Sequence, residues 1–402
     1  MKFAMNKRLS GLPPYIFVHL GNLKRKEIAA GKDVIDLGQG SPDLPSPSYV
    51  VDAAREGVKD PGTHGYPVAN GTPEYRKAVA DWYMRRFKVA LDPDKEVLAL
   101  IGSKEGLGHL LSALLDPGEG VLVPSPCYPA HYNGVILAGG DVIIMPLKEK
   151  NGFLPDLDKI PERDLERAKA MILNYPNNPT GATLPDNAPL ERALALAEKH
   201  GFLVIYDNAY SEMTFDDYVA PSILQLPGAK DHAIEFHSVS KSFSMAGWRL
   251  GFAVGNPEAV ALLGKIKGFI DYGVPTFLQR AAVSALSGPD DYVKEARATY
   301  QRRRDALAAA LEEIGWKAPL PRASMYIWTR MPQAAGGMKS LEFAERLIRE
   351  QGVVLSPGSA FGPEGEGYMR FSLIQTPDRL REAAGRIGRF LQTLKGAKSA
   401  AA

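Results

Sequence analysis

Apolar residues recur along this chain in two rhythms. In the first two thirds, short near-continuous apolar runs alternate with stretches where apolar positions return every three or four residues. The runs fall at 98–101, 121–123, 142–145, 170–173 and 202–206, with a further one at 233–236 broken only by Glu235. Such runs are the mark of strands buried on both faces of a parallel sheet, and the intervening period belongs to covering helices. Helices are expected over 15–30, 73–86, 103–115 and 189–200; the first is entered through Pro13-Pro14 and stopped at Gly31. One more strand is expected over 249–254.

Past residue 275 the rhythm changes. Long amphipathic patterns over about 276–286 and 290–314 lead to two stretches, 324–329 and 367–373, that alternate like half-buried antiparallel strands. Helical patterns over 340–351 and 377–394 follow. The expected class is therefore α/β: a large domain over 46–289 with a mostly parallel, doubly covered sheet, and a smaller α+β domain from 15–45 and 290–402. Residues 1–14 form an arm, and the small residues of 396–402 are expected to fray.

Composition narrows the class of protein. At 402 residues the chain exceeds what one ordinary core organises. A 45% hydrophobic and 23% charged content describes a folded globular protein, and a net charge of +2 gives no footprint for nucleic acid. The single cysteine, Cys127, excludes an internal disulfide framework and a multi-cysteine metal site, as in a reducing, cytoplasmic compartment. No run reaches 18 apolar residues, so no membrane span is expected, and the basic first ten residues lack the apolar centre of a secretory signal.

The candidate chemistry lies where strands end. Lys241 sits in Ser238-Val-Ser-Lys-Ser, with Arg249 eight residues on. A desolvated lysine can lose its proton and attack a carbonyl, while serines and an arginine beside it suit a phosphate. The turn Gly102-Ser103-Lys104 between a strand and a helix aims free N–H groups at an anion, although its spacing is not that of a nucleotide P-loop. Tyr128 closes the 121–123 strand; Asn177 and Asn178 close 170–173; Asp207 and Tyr210 close 202–206. Gly38 and Gly40 allow backbone N–H groups to approach a ligand. Arg370, in a strand among apolar neighbours, requires an anionic partner. Taken singly, each has a plain structural reading: a packed tyrosine, a capping carboxylate, a solvated lysine. Cys127 reads as a packed small residue. The shared position at strand C-termini, where open α/β sheets bind ligands, is what raises the set above its members.

Together, Lys241 in SxSKxxxxxGxRxG, Asn177-Asn-Pro-Thr-Gly181, the strand-end Asp207-x-x-Tyr210 and Arg370-Phe-Ser-Leu373 resemble the class I aminotransferases, the fold-type I pyridoxal-phosphate enzymes related to aspartate aminotransferase. The resemblance runs from about Pro13 to Leu394. It implies pyridoxal 5'-phosphate as cofactor, no metal, and ping-pong transfer of an amino group from an L-amino acid to a 2-oxo acid. By the same resemblance Lys241 carries the cofactor and moves the proton, and Asp207 faces the pyridine nitrogen. Asn178 and Tyr210 bind the ring's phenolic oxygen, and Tyr128 stacks on the ring. Ser103, Lys104, Ser238 and Arg249 hold the phosphate, with the backbone of Lys104 an alternative to its charge. Arg370 clamps the substrate carboxylate, helped by the N–H of Gly40 or Gly38. Tyr66 reaches the phosphate of a neighbouring subunit, which implies a homodimer.

Substrate is less legible. The aspartate enzymes place an arginine shortly before the Tyr272 segment, and Gly268-Phe-Ile-Asp-Tyr-Gly273 has none. Gly102-Ser-Lys-Glu-Gly106 is shared by the LL-diaminopimelate and the bacterial alanine (glutamate–pyruvate) branches. Pro14-Tyr-Ile-Phe17, Thr63-His-Gly-Tyr66, Met245-Ala-Gly-Trp-Arg249, Asp271-Tyr-Gly273 and Ala323-Ser-Met-Tyr326 are more similar to the alanine branch. Where plant and chlamydial diaminopimelate enzymes carry a glutamate, three residues after the Tyr66 position, this chain has Ala69. The main expectation is alanine/glutamate with pyruvate/2-oxoglutarate. The alternatives are an LL-diaminopimelate or N-succinyl-diaminopimelate aminotransferase, or a pyridoxal lyase on the same fold.

Overall fold

The computed structural model describes residues 3–13 and 15–401. Met1, Lys2 and Pro14 of the expected arm and Ala402 of the tail lie outside the described residues. The expected runs become strands β1 (Ile35–Asp36), β2 (Val97–Leu100), β3 (Gly120–Ser125), β4 (Asp141–Pro146), β5 (Ala168–Leu173), β6 (Leu203–Asp207), β7 (Ala233–Ser238) and β8 (Gly251–Gly255). The second rhythm yields β9 (Tyr326–Arg330) and β12 (Tyr368–Ser372), between which lie two short strands it did not announce, β10 (Val353–Val354) and β11 (Ser356–Pro357).

Seven strands form one sheet in the order β2-β8-β7-β6-β5-β3-β4. From β7 to β4 all pairings are parallel, while β8 runs antiparallel to both β7 and β2. Two reversals leave β2 pointing the same way as β7. The C-terminal ends of β2, β3, β5, β6 and β7 therefore share one edge with the start of β8. Chain order also reverses between β3 and β5, making the switch point at which open sheets leave a crevice. Both faces are covered. Val121, Val123 and Ile172 pack beside the helix Ser103–Leu114; Leu122, Met171 and Val204 pack beside Pro73–Phe87 and Ala188–His200.

A separate core forms around β9, β12 and β11, which pair antiparallel, and around the parallel pair of β1 with β10. Trp316, Phe343 and Phe390 interlock edge-to-face there, under helices Ser340–Gln351 and Pro377–Ala401. The last helix is bounded at Ala401. Leu20, from helix Ile16–Ala29, belongs to this second core. Helix Asp291–Glu313 joins the two: Val293 packs in the large core, Tyr300 and Leu307 in the smaller. Among the described residues no helix is long and apolar enough to cross a membrane.

Candidate active site

The shared strand edge opens into a cavity of about 530 Å³ between the two cores. Its walls include Ser103, Lys104, Tyr128, Asn178, Asp207, Tyr210, Ser238, Lys241, Arg249, Gly40 and Arg370, which the topology gathers from positions up to 330 residues apart. Tyr66 is not brought into this cavity. It is 92% exposed, with its ring 5.5 Å from that of Tyr272.

Lys241 lies in the single turn Val239–Ser242 that follows β7, whose start Ser238 caps by accepting from the Ser240 N–H at 3.2 Å. The lysine Nζ donates to the Gly40 carbonyl at 2.6 Å and meets no carboxylate among the described residues. Burial, with a smaller contribution from Arg370 and Arg249, lowers its pKa from the usual lysine range although Tyr326 opposes the change. The neutral amine is thus within reach, which is the form that attacks a carbonyl.

Asp207 ends β6. Its Oδ2 is hydrogen-bonded to Nε2 of the buried His131 at 2.9 Å, and its Oδ1 is buried without a partner. A buried lone carboxylate oxygen costs free energy unless a ligand satisfies it. Tyr128 stands edge-on to His131, ring centroids 5.6 Å apart. Asn174 ties the next strand end in place, donating from Nδ2 to the Asp207 carbonyl at 2.7 Å and accepting from the Asn178 N–H at 2.9 Å.

The Gly102-Ser103-Lys104 turn is built by close approach. Helix Ser103–Leu114 starts at Gly102 with φ +79° and no side-chain cap, so its first N–H groups are free. A Cβ on Gly102 would overlap the Arg249 guanidinium, which lies against that helix end. Arg249 itself adopts the left-handed region at φ 56°, just before β8, a conformation that persists where surroundings over-determine it. Lys104 is exposed on the first turn and forms part of the cavity wall.

Arg370, in β12, is buried. Its Nη1 donates to Asn178 Oδ1 and its Nη2 to the Gly38 carbonyl, both at 2.8 Å, and Nη2 also reaches Ser356 Oγ at 3.2 Å. The anionic partner expected for it is absent from the described residues, and Nε has no partner. A buried cation held only by neutral acceptors is costly, and burial accordingly lowers its pKa. An anion must come from a ligand. Of the two glycines offered as helpers, Gly38 is engaged: its N–H donates to Asp36 Oδ1 at 2.8 Å. Gly40 N–H has no partner among the described residues.

Some residues of the site escaped the sequence reading. His131, buried behind Asp207, stands four residues from Cys127 on the first turn of helix Pro129–Ala138, and its position after a strand end was the available signal. Tyr326, Asn174, Phe17 and Phe361 line the cavity itself. Cys127 is buried and pushed up to about 12 by desolvation, consistent with a packed residue.

Pyridoxal phosphate fits this donor set. The unpartnered Asp207 oxygen suits a protonated ring nitrogen, the uncapped helix end with Arg249 suits a phosphate, and Lys241 suits the aldehyde. The aminotransferase class I and II family model matches residues 32–387. The chain is 48% identical over 387 residues to the LL-diaminopimelate aminotransferase of Desulforudis audaxviator, covering 96% of this chain and 98% of the relative. Identity to the enzyme of the same name from Aquifex aeolicus is 48% over 385 residues, covering 96% and 98%. Among solved structures, substrate-bound BacF from Bacillus subtilis superposes with a TM-score of 0.93 at 37% identity, covering 97% and 98%. A probable N-succinyldiaminopimelate aminotransferase from Thermus thermophilus gives 0.87 at 41%, covering 93% and 99%. These names favour the alternative in the sequence reading over its main expectation of alanine/glutamate. The motifs shared by both branches surround the cofactor, so they do not report on the side-chain pocket. The chain belongs to the class I and II aminotransferases and is a pyridoxal-phosphate-dependent enzyme of that family.

Proposed function

We propose that this aminotransferase takes LL-diaminopimelate as amino substrate, with a 2-oxo acid such as 2-oxoglutarate as its counterpart, and works as a homodimer. The observation that carries an α-amino acid substrate is Arg370, a buried guanidinium with no carboxylate of its own, in the same cavity as Lys241. Relatives at 45–48% identity carry the diaminopimelate name. The cavity also extends to Lys24, Arg25 and Asp36, where Lys24 Nζ donates to Asp36 Oδ2 at 2.7 Å. Charged lining of both signs suits a side chain that ends in an ammonium and a carboxylate, and would be idle against a methyl group.

When bound, the cofactor supplies an aldehyde that condenses with the amine and a ring that takes up the electrons of the substrate's Cα–H bond. The residues do the rest. Arg370 and the Gly40 N–H bind the α-carboxylate and fix how the Cα–H bond is aimed. Lys241, a neutral amine once desolvated, would take the Cα proton at Nζ and hold it for its return. Asp207, held by His131, keeps a proton on the ring nitrogen. Tyr210 and the Asn178 amide donate toward the phenolic oxygen, and Tyr128 covers one ring face. Ser103, the Lys104 N–H, Ser238 and Arg249 hold the phosphate, with Tyr66 serving the neighbouring subunit.

A second reading, alanine/glutamate with pyruvate/2-oxoglutarate, draws on Ala69, whose methyl offers nothing to a distal ammonium. Steady-state kcat/KM for LL-diaminopimelate, N-succinyl-LL-diaminopimelate, alanine, glutamate and aspartate separates the readings. We expect LL-diaminopimelate to exceed alanine by at least about tenfold, the value of one desolvated charge contact. An alanine value above that of diaminopimelate transfers the assignment to the second reading.

A further inference from the structure

Tyr326 opens β9, is buried, and still forms part of the cavity wall. Three groups that bind cofactor or substrate in the proposed function converge on it. The Arg370 guanidinium carbon lies 4.0 Å from its ring centroid. Its hydroxyl is 3.1 Å from that of Tyr210. A Cβ on Gly40 would overlap the same hydroxyl, with two ring carbons at 2.6 Å, so the Gly40 peptide lies directly on this side chain. The sheet explains the first contact. Arg370 pairs with Trp328 and Ser372 with Tyr326, which makes Arg370 and Tyr326 diagonal neighbours on one face.

The electrostatics are consistent with a group that does more than fill space. Burial raises the Tyr326 phenol, but Arg370, Lys241 and the Tyr210 hydroxyl together bring it below the ordinary tyrosine range. In return Tyr326 favours the protonated form of Lys241. The charged and titratable groups facing its hydroxyl are Lys241, Arg370, Tyr210 and, further off, Tyr128; it hydrogen-bonds no carboxylate among the described residues.

We infer that Tyr326 is a positioning residue that joins the two halves of the site. Its ring is the platform holding Arg370 toward the substrate carboxylate, and its hydroxyl sets Tyr210 against the cofactor's phenolic oxygen. This rests on the roles proposed for Arg370 and Tyr210.

Tyr326→Phe and Tyr326→Leu in the cofactor-loaded protein separate the two parts. Tyr326→Phe keeps the platform, so KM for the amino substrate stays within about twofold, the size of an unperturbed contact. It loses the hydroxyl that sets Tyr210, whose donation to the phenolic oxygen favours the unprotonated form of the bound cofactor, so the midpoint of the bound cofactor's visible absorption against pH moves up by about half a unit or more. Tyr326→Leu also loses the platform, and KM rises about tenfold or more, as a desolvated cation–π contact predicts. An unchanged absorption midpoint in Tyr326→Phe, or an unchanged KM in Tyr326→Leu, overturns the inference. If thermal melting shows Tyr326→Leu unfolded, the Tyr326→Phe titration alone decides. A wild-type protein that binds no pyridoxal phosphate refutes the proposed function instead. A wild type that binds it and turns over, with both variants unmoved, removes only the role of Tyr326.

Discussion

At the scale of single residues, two cations without carboxylates carry most of the meaning. Lys241 and Arg370 are each held by neutral oxygen acceptors alone among the described residues. Each is depressed by burial, and such placements persist where a ligand completes them. Lys241→Ala should lower kcat by at least about 10³-fold, the size of a lost covalent and proton-transfer group, while the protein still takes up pyridoxal phosphate. Rapid-quench turnover and dye-free absorbance check the two halves of that statement. The pH dependence has a definite sign. Lys241 works as the neutral amine, so activity rises with pH through a pKa below the ordinary lysine value of 10.5 and falls as that amine is protonated. A kcat profile whose ascending limb has its midpoint at or above 10.5 contradicts the depressed amine. Both residues were legible in the sequence because each breaks a rule of burial. His131 and Tyr326 were not, since a buried histidine or tyrosine breaks none and only their partners, Asp207 and Arg370, give them a task.

At the scale of elements, direction matters more than identity. Strand runs announced themselves by near-continuous apolar residues, but the antiparallel sense of β8 did not. That reversal places Arg249 beside Gly102, on the same edge as Lys241. Helices Ser48–Lys59, Pro129–Ala138 and Pro257–Ile270 also went unread. The second is apolar almost all round, so its period is blurred, and the third is interrupted by Gly264 and Gly268. The third has a task at the site. From it, the fully buried Lys267 donates to Glu105 Oε1 at 3.0 Å and to Asp271 Oδ1 at 3.1 Å, fastening the helix that carries the phosphate turn. Desolvation raises the pKa of Glu105 against the pull of that lysine. Lys267→Met leaves two carboxylates facing each other and should cost about 3 kcal/mol of unfolding free energy, measured by urea denaturation of the holoprotein. A loss under about 1 kcal/mol would mean that the cluster is solvated and does not fasten the turn.

At the scale of the molecule, two cores meet at the cavity, and each supplies half of the site. Lys241, Asp207 and the phosphate turn stand on the large sheet, whereas Arg370 and Tyr326 stand on β12 and β9 of the smaller one. The change of period near residue 275 marks where the second kind of packing begins, and Tyr66, which the sequence reading gives to a neighbouring subunit, lies outside the cavity of its own chain. That side chain lies exposed against exposed Tyr272, with Phe269 and Ile270 of the same segment also exposed. In the proposed homodimer this exposed apolar stretch would face the other subunit. Sedimentation equilibrium at micromolar protein should therefore give twice the chain mass; a fully active species of single chain mass removes Tyr66 from the account. The central claim, a pyridoxal-phosphate aminotransferase acting on diaminopimelate, is tested most directly by the half-reaction. LL-diaminopimelate added to the yellow, cofactor-loaded protein without any 2-oxo acid should convert the bound cofactor stoichiometrically to its amino form, seen as loss of the visible absorption band. Retention of that band with diaminopimelate, while alanine or glutamate discharges it, would contradict the substrate assignment. Retention with all three would contradict the aminotransferase reading of this site.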